Sequence, residues 1–389
     1  MKSQIVVSAL LSACVNVACV AGASDEPVLK DAFAGRFRIG AAVNAGVWEG
    51  GQERVRATVE RHFDSITADN EMKPMFLQPR EGEFHFETAD KFVAFGEKNK
   101  MKVIGHCLVW HMQTPNWFFR SEGGGPVTRE KALERMRAHI FAVVGRYKGR
   151  VKGWDVVNEA FDDGGRLRRT PWMRAIGPDF IEHAFRFAHA ADPEAELYYN
   201  DYNMFAPGKR AAVIRLVRRL KAAGVRIDGV GMQSHVALRR PNLADYEASI
   251  VAFAAEGVKV MITELDVSVL PEARGLSAKV LRSKDFDEKF NPWKNGVLPD
   301  EMQQRLARRY EDLFRIYLRH ADAIGRVTFW GVADGLSWLN VFPVRGRTDY
   351  PLLFDRSLKP KPCAAAVLRL AEAASGDATG QKKSDQSNK

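Results

Sequence analysis

Val258-Lys-Val-Met-Ile-Thr-Glu264 is a short apolar run that leads straight into a glutamate, and it reads as a β-strand. Seven further runs of the same kind can be placed at Phe37–Val43, Ser65–Ala68, Val103–His106, Val151–Asn158, Glu196–Asn200, Gly229–Gln233 and Val327–Trp330. Helical patterns alternate with them. Leu133, Met136, Ile140, Val143 and Val144 share one face, as do Val213, Ile214, Val217 and Leu220, with Gly224 as a stop. Leu306, Tyr310, Leu313, Phe314 and Tyr317 form a third such face. Alternation of strand and helix predicts a parallel sheet of βα units, and eight repeats fit an α/β fold of the (β/α)8, or TIM-barrel, type as a single domain. The strand ends are polar or aromatic: Asn44, Asp69-Asn70, His106, Asn158-Glu159, Asn200-Asp201, Gln233, His235, Glu264 and Trp330. In a barrel these ends converge on one mouth, where an active site is expected.

The 389 residues suit one such domain, and hydrophobic (46%) and charged (27%) fractions are ordinary for a soluble globular enzyme. Residues 1–23 read as an export signal: Lys2 precedes the apolar Ile5–Leu11, and Ala21-Gly22-Ala23 suits cleavage before Ser24. Leu11-Ser-Ala-Cys14 supports a competing reading, a lipoprotein signal ending before a lipidated Cys14. The two readings place the protein as secreted or periplasmic, or as an outer-membrane lipoprotein. No transmembrane helix is expected, because the stretch is short and contains Asn16. Residues 24–373 are then the globular domain, and the small, polar residues 374–389 read as a disordered tail. Cys107 and Cys363 are too few for a disulfide framework and read as buried thiols. The net charge of +10 comes in short runs such as Arg166-Leu-Arg-Arg169, without a nucleic-acid-binding motif. A monomer is the default expectation.

Trp154-Asp-Val-Val-Asn-Glu-Ala160 repeats the pattern of an apolar strand ending on a glutamate. A carboxyl on each of two strands, facing one aromatic cleft, is what glycoside hydrolysis requires: one protonates the leaving oxygen and the other attacks or stabilises the anomeric carbon. His106 and His111 lie five residues apart, outside the usual metal-binding spacings, so neither metal nor cofactor is expected.

Gly257–Val267, with Glu264 and Asp266, resembles the nucleophile signature of glycoside hydrolase family 10, the endo-β-1,4-xylanases. Gly105–Pro115, Trp154–Ala160, Asn200-Asp-Tyr-Asn203, Gly229–His235 and Phe329-Trp-Gly331 with Asp334 and Trp338 resemble further family segments in the family's order, over roughly residues 30 to 372. The resemblance implies a retaining endo-1,4-β-xylanase acting on xylan and xylo-oligosaccharides by double displacement, with Glu159 as acid/base and Glu264 as nucleophile. In retaining enzymes the two carboxyls stand about 5–5.5 Å apart. An anionic Glu264 would favour the protonated form of Glu159 until glycosylation neutralises it. His235 and Asp266 would orient Glu264 and hold it ionised. Asn158 would bond the 2-hydroxyl of the sugar at the cleavage point, and His106 other hydroxyls of that sugar. Gln233 would lie beside the nucleophile. Trp110, Trp330 and Trp338 would line the site, Tyr202 would sit on the leaving-group side, Asp69, Asn70 and Lys73 would bind the next sugar on the non-reducing side, and Gln113 would be a further substrate-binding residue.

Two positions depart from the family's pattern. Asp69 stands where the family usually has Glu, and Pro74 where it often has Trp. The shorter Asp69 puts affinity for that next sugar in doubt and leaves the catalytic pair untouched. Other readings are a β-1,4-glucanase or mixed enzyme of the same family and a non-catalytic glycan-binding protein. The long segment Leu270–Pro299 would reshape the cleft.

Overall fold

The computed structural model describes residues 27–273, 280 and 284–386. The leader at 1–23, including Cys14, lies outside the described residues. Nine strands form in chain order: β1 (Arg38–Val43), β2 (Ser65–Ala68), β3 (Lys102–Val109), β4 (Gly153–Asn158), β5 (Glu196–Asp201), β6 (Gly229–Met232), β7 (His235–Ala237), β8 (Lys259–Ser268) and β9 (Ile324–Phe329). All their pairings are parallel, β1 lying between β2 and β9 and β6 pairing with β8, so eight of them close into a barrel. The expected strands are present with small boundary shifts; β3 runs on to Val109 because Cys107, Leu108 and Val109 are also buried. The three-residue β7 was not legible as a strand. It pairs with the far end of β8, which puts His235 opposite Asp266.

Eight helices of ten residues or more surround the described barrel: α1 (Glu53–His62), α2 (Glu87–Lys98), α3 (Arg129–Arg146), α4 (Phe180–Ala191), α5 (Pro207–Ala222), α6 (Leu243–Ala254), α7 (Asp300–Arg319) and α8 (Pro362–Gln386). The strands are buried along nearly their whole length, as a parallel sheet covered by helices requires. The main core lies between strands and helices, where Leu306, Tyr310, Leu313, Phe314 and Tyr317 of α7 are buried as their spacing predicts. Helix α8 continues past residue 373, where the sequence predicts a disordered tail. Ala364, Val367 and Ala371 dock it in the core, and once nucleated by packing a helix extends at little cost per residue. Cys107 and Cys363 are buried free thiols. No described helix is long and apolar enough to cross a membrane.

Glycines set the closeness of neighbouring strands beneath the mouth. Gly105 of β3 pairs in register with Trp154 of β4, and a Cβ at residue 105 would lie 2.1 Å from the indole ring. The indole is wholly buried and has no room to yield. Gly105→Ala should therefore destabilise the fold by about 1–3 kcal/mol through overpacking. Urea denaturation measures this; an unchanged midpoint would contradict the packing described.

Candidate active site

The C-terminal ends of the strands bring the expected residues to one mouth. The chain leaves β4 at Asn158, and Glu159 takes a left-handed conformation, φ 57°. That region is strained for a residue with a side chain, and surrounding contacts must hold it. The Glu159 N–H donates to Asn200 O (2.9 Å), and the next N–H, of Ala160, donates to Tyr199 Oη (3.0 Å). This turn aims the carboxyl across the barrel mouth. Trp110 Nε1 donates to Glu159 Oε2 (3.0 Å), and Gln233 Nε2 to Oε1 (3.0 Å).

Glu264 projects from β8 and is only 5% exposed. Its Oε2 accepts from His235 Nε2 (3.0 Å) and its Oε1 from Asn200 Nδ2 (2.9 Å). His235 Nδ1 bonds Asp266 Oδ2 (2.9 Å), and Trp338 Nε1 donates to the same oxygen (2.8 Å). Burial pulls the imidazole toward neutrality, but Asp266 and Glu264 on its two nitrogens outweigh this and raise it to about 10. His235 is thus an imidazolium at neutral pH, donating from both nitrogens. Burial pushes the Glu264 carboxyl up, and the hydrogen bond and charge of His235, helped by His106 and the Asn200 amide, bring it below its ordinary value. The nucleophile candidate is held ionised by its surroundings.

Amides connect the two glutamates. Asn200 Nδ2 also donates to Asn158 Oδ1 (3.0 Å), and Asn158 Nδ2 approaches Glu159 Oε1 (3.3 Å). Gln233, expected beside the nucleophile, sends its side chain to Glu159 instead, while its main-chain carbonyl accepts the N–H of Glu264 (2.8 Å). It therefore touches both glutamates, Glu159 at its carboxyl and Glu264 at its main chain. Thr263 Oγ1 donates to Asn200 Oδ1 (2.7 Å), which fixes the orientation of the Asn200 amide.

The residues of the mouth divide around Trp338. One hollow beside it is lined by Asn44, Asp69 and Trp330, the other by Asn203, Phe205, His235 and Asp266. On the first side, Asn70 Oδ1 accepts from Lys73 Nζ (3.1 Å) and Gln113 Nε2 (3.0 Å), and the Lys73 ammonium lies 5.2 Å from the centre of the Trp110 ring. Burial pushes the Asp69 carboxyl up more than Lys73 and His106 pull it down. The carboxylate of its neighbour Glu71 accepts the N–H groups of Ala45 (2.8 Å) and Asn70 (3.0 Å). His106 is buried with Nδ1 bonded to Asp155 Oδ2 (2.9 Å), and the edge of its ring meets Trp330. The Trp338 indole stacks on Phe342, ring centres 5.2 Å apart. On the second side, the Tyr202 hydroxyl accepts from the Arg168 guanidinium.

Asn200, Asp155 and Thr263 are the functional neighbours that reading the sequence missed as site residues. Asn200 was visible as a polar strand end. Asp155 and Thr263 carried no comparable signal, since each lies inside an apolar run. Among the described residues no group of three or more His, Cys, Asp or Glu could hold a metal ion.

The family model for glycosyl hydrolase family 10 matches residues 28–370. Endo-1,4-beta-xylanase A of Xylanibacter ruminicola is 49% identical over 352 residues, 90% of this chain and 95% of that protein. The Endo-1,4-beta-xylanase of Geobacillus stearothermophilus is 45% identical over 350 residues, 89% and 99% of the two chains. Among solved structures, a GH10 endoxylanase retrieved from a sugarcane soil metagenome superposes with a TM-score of 0.84 at 46% identity, covering 88% of this chain and 99% of that one. The matched span takes in every strand of the barrel and both glutamates, and by it the chain belongs to glycosyl hydrolase family 10.

Proposed function

We propose that this chain is a retaining endo-1,4-β-xylanase, with Glu264 as nucleophile and Glu159 as acid/base. The observation that carries the reading is the pair of unlike carboxyl environments: Glu264 lies against an imidazolium, whereas Glu159 lies against neutral donors. The carboxyl held ionised is suited to attack, and the proton transfers then fall to the other.

In the first step Glu159 gives its proton to the glycosidic oxygen while Glu264 attacks the anomeric carbon from the opposite face. The C–O bond to the leaving sugar breaks, and a glycosyl ester forms on Glu264. This removes the negative charge of Glu264, so Glu159, now ionised, can take a proton from water. That water attacks the anomeric carbon and frees Glu264 with the original configuration. Asn158 and His106 are suited to the hydroxyls of the sugar undergoing cleavage, and Asn70, Lys73 and Gln113 to those of the next ring. The indoles of Trp110, Trp330 and Trp338 offer flat faces to the apolar sides of sugar rings. Trp338 is fixed by Asp266 and Phe342, and a rigid indole over the cleavage point would select xylose over glucose by excluding the exocyclic CH2OH. Comparing reducing-sugar release from xylan and carboxymethylcellulose tests that preference; faster cleavage of the cellulose derivative would reverse it.

Replacing Glu264 by Ala should lower turnover of every substrate by about four orders of magnitude or more. Replacing Glu159 by Ala should cost about 10²–10⁴-fold on xylan. It should leave the first step nearly intact for a dinitrophenyl xylobioside, whose leaving group needs no proton. A pre-steady-state burst separates the steps, and equal losses on both substrates would remove the acid role from Glu159. His235→Asn deletes the charge that lowers the Glu264 carboxyl, leaving burial to raise it. The acid limb of kcat/KM for the aryl glycoside should then move to higher pH; an unmoved limb would exclude the electrostatic role of His235.

A further inference from the structure

Lys209 lies in the first turn of α5, yet its ammonium is fully enclosed (0% exposed). Its Nζ lies 2.9 Å from Asp201 Oδ1, 3.2 Å from Asp163 Oδ1 and 3.0 Å from Tyr202 O. It also stands 3.9 Å from the centre of the Tyr202 ring. Cation–π attraction strengthens when the cation is desolvated, as here. Asp201 in turn receives the N–H of Tyr202 (2.9 Å) and the hydroxyl of Tyr199 (2.6 Å), the same hydroxyl that accepts the N–H after Glu159. Asp163 belongs to the loop that follows Glu159. That loop rests directly on the start of α5, since a Cβ at Gly165 would fall 2.2 Å from Gly208 O.

We infer that Lys209 is a positioning residue for the leaving-group half of the cleft, holding the Tyr202 ring and the loop after Glu159 in one fixed relation. The inference rests on the proposed xylanase reading and on Tyr202 facing the departing sugar. A buried ion pair that served folding alone would be indifferent to the chemistry of the leaving group. A positioning residue would not be, because a departing xylose chain needs both the platform and the acid, while a dinitrophenolate leaves without a proton and spans a single ring.

The test is kcat and KM of Lys209→Met on xylohexaose and on dinitrophenyl β-xylobioside. The expected result is a loss of at least about tenfold in kcat/KM on xylohexaose and less than about threefold on the aryl glycoside. Asp163→Asn, at a carboxylate 55% exposed that also accepts from Asn203 Nδ2 (3.1 Å), weakens one strut without opening the core and should show a smaller split of the same sign. It decides the matter if Lys209→Met does not fold. Equal losses on the two substrates, or no loss on either, would overturn the inference. Wild-type protein that cleaved neither substrate would instead defeat the xylanase reading, and this inference with it.

Discussion

One positive charge shared by two buried carboxylates organises this site. The His235 imidazolium lies between Asp266 and Glu264, with a nitrogen 2.9 Å from one and 3.0 Å from the other. Burying a lone carboxylate would drive it toward its neutral form, and a lone buried imidazole would also lose its charge. Together the His235 imidazolium and the Glu264 carboxylate keep each other ionised, and Glu264 presents its negative charge at the mouth. On the proposed mechanism that charge faces the anomeric carbon, where positive charge develops in the transition state.

The barrel makes this arrangement a matter of register. Parallel pairing of β7 with β8 sets His235 opposite Asp266, and Glu264 lies two residues earlier on β8, on the same face. The Trp338 indole closes the far side by donating to Asp266. On the other wall, the left-handed turn at Glu159 is held by β5 through Asn200, the residue that also touches Glu264. The side chains that hold Glu264 thus sit on strands, which move less than loops, and both glutamates answer to the same asparagine.

The barrel was legible because each strand is buried on both faces and reads as an apolar run, and each helix shows its period. Val258–Glu264 and Val151–Asn158 carried the two glutamates in plain view. What could not be read were short-range geometries. β7 has three residues and no apolar pattern of its own; it exists because β8 runs past the barrel rim and offers an edge to pair with. The side chain of Gln233 reaches Glu159, and the chain then turns at Ser234, φ 66°, a conformation that serine does not announce. Helix α8 passes the point where composition turns polar, because its start is anchored by packing at Ala364 and Val367. The family's resemblance pointed to the residue types around the glutamates, whereas Asp155, which orients His106, emerged only from the inside of β4.

On the proposed mechanism Glu264 is the ionised group that attacks the sugar. Incubating the enzyme with a 2-deoxy-2-fluoro xylobioside carrying a dinitrophenyl leaving group would slow release of the glycosyl-enzyme enough to isolate it. Mass spectrometry of the digested protein should then find one fluoroxylobiosyl group, on the peptide containing Glu264 and attached to that residue. A label on Glu159, or a product released with inverted configuration and no label at all, would contradict it.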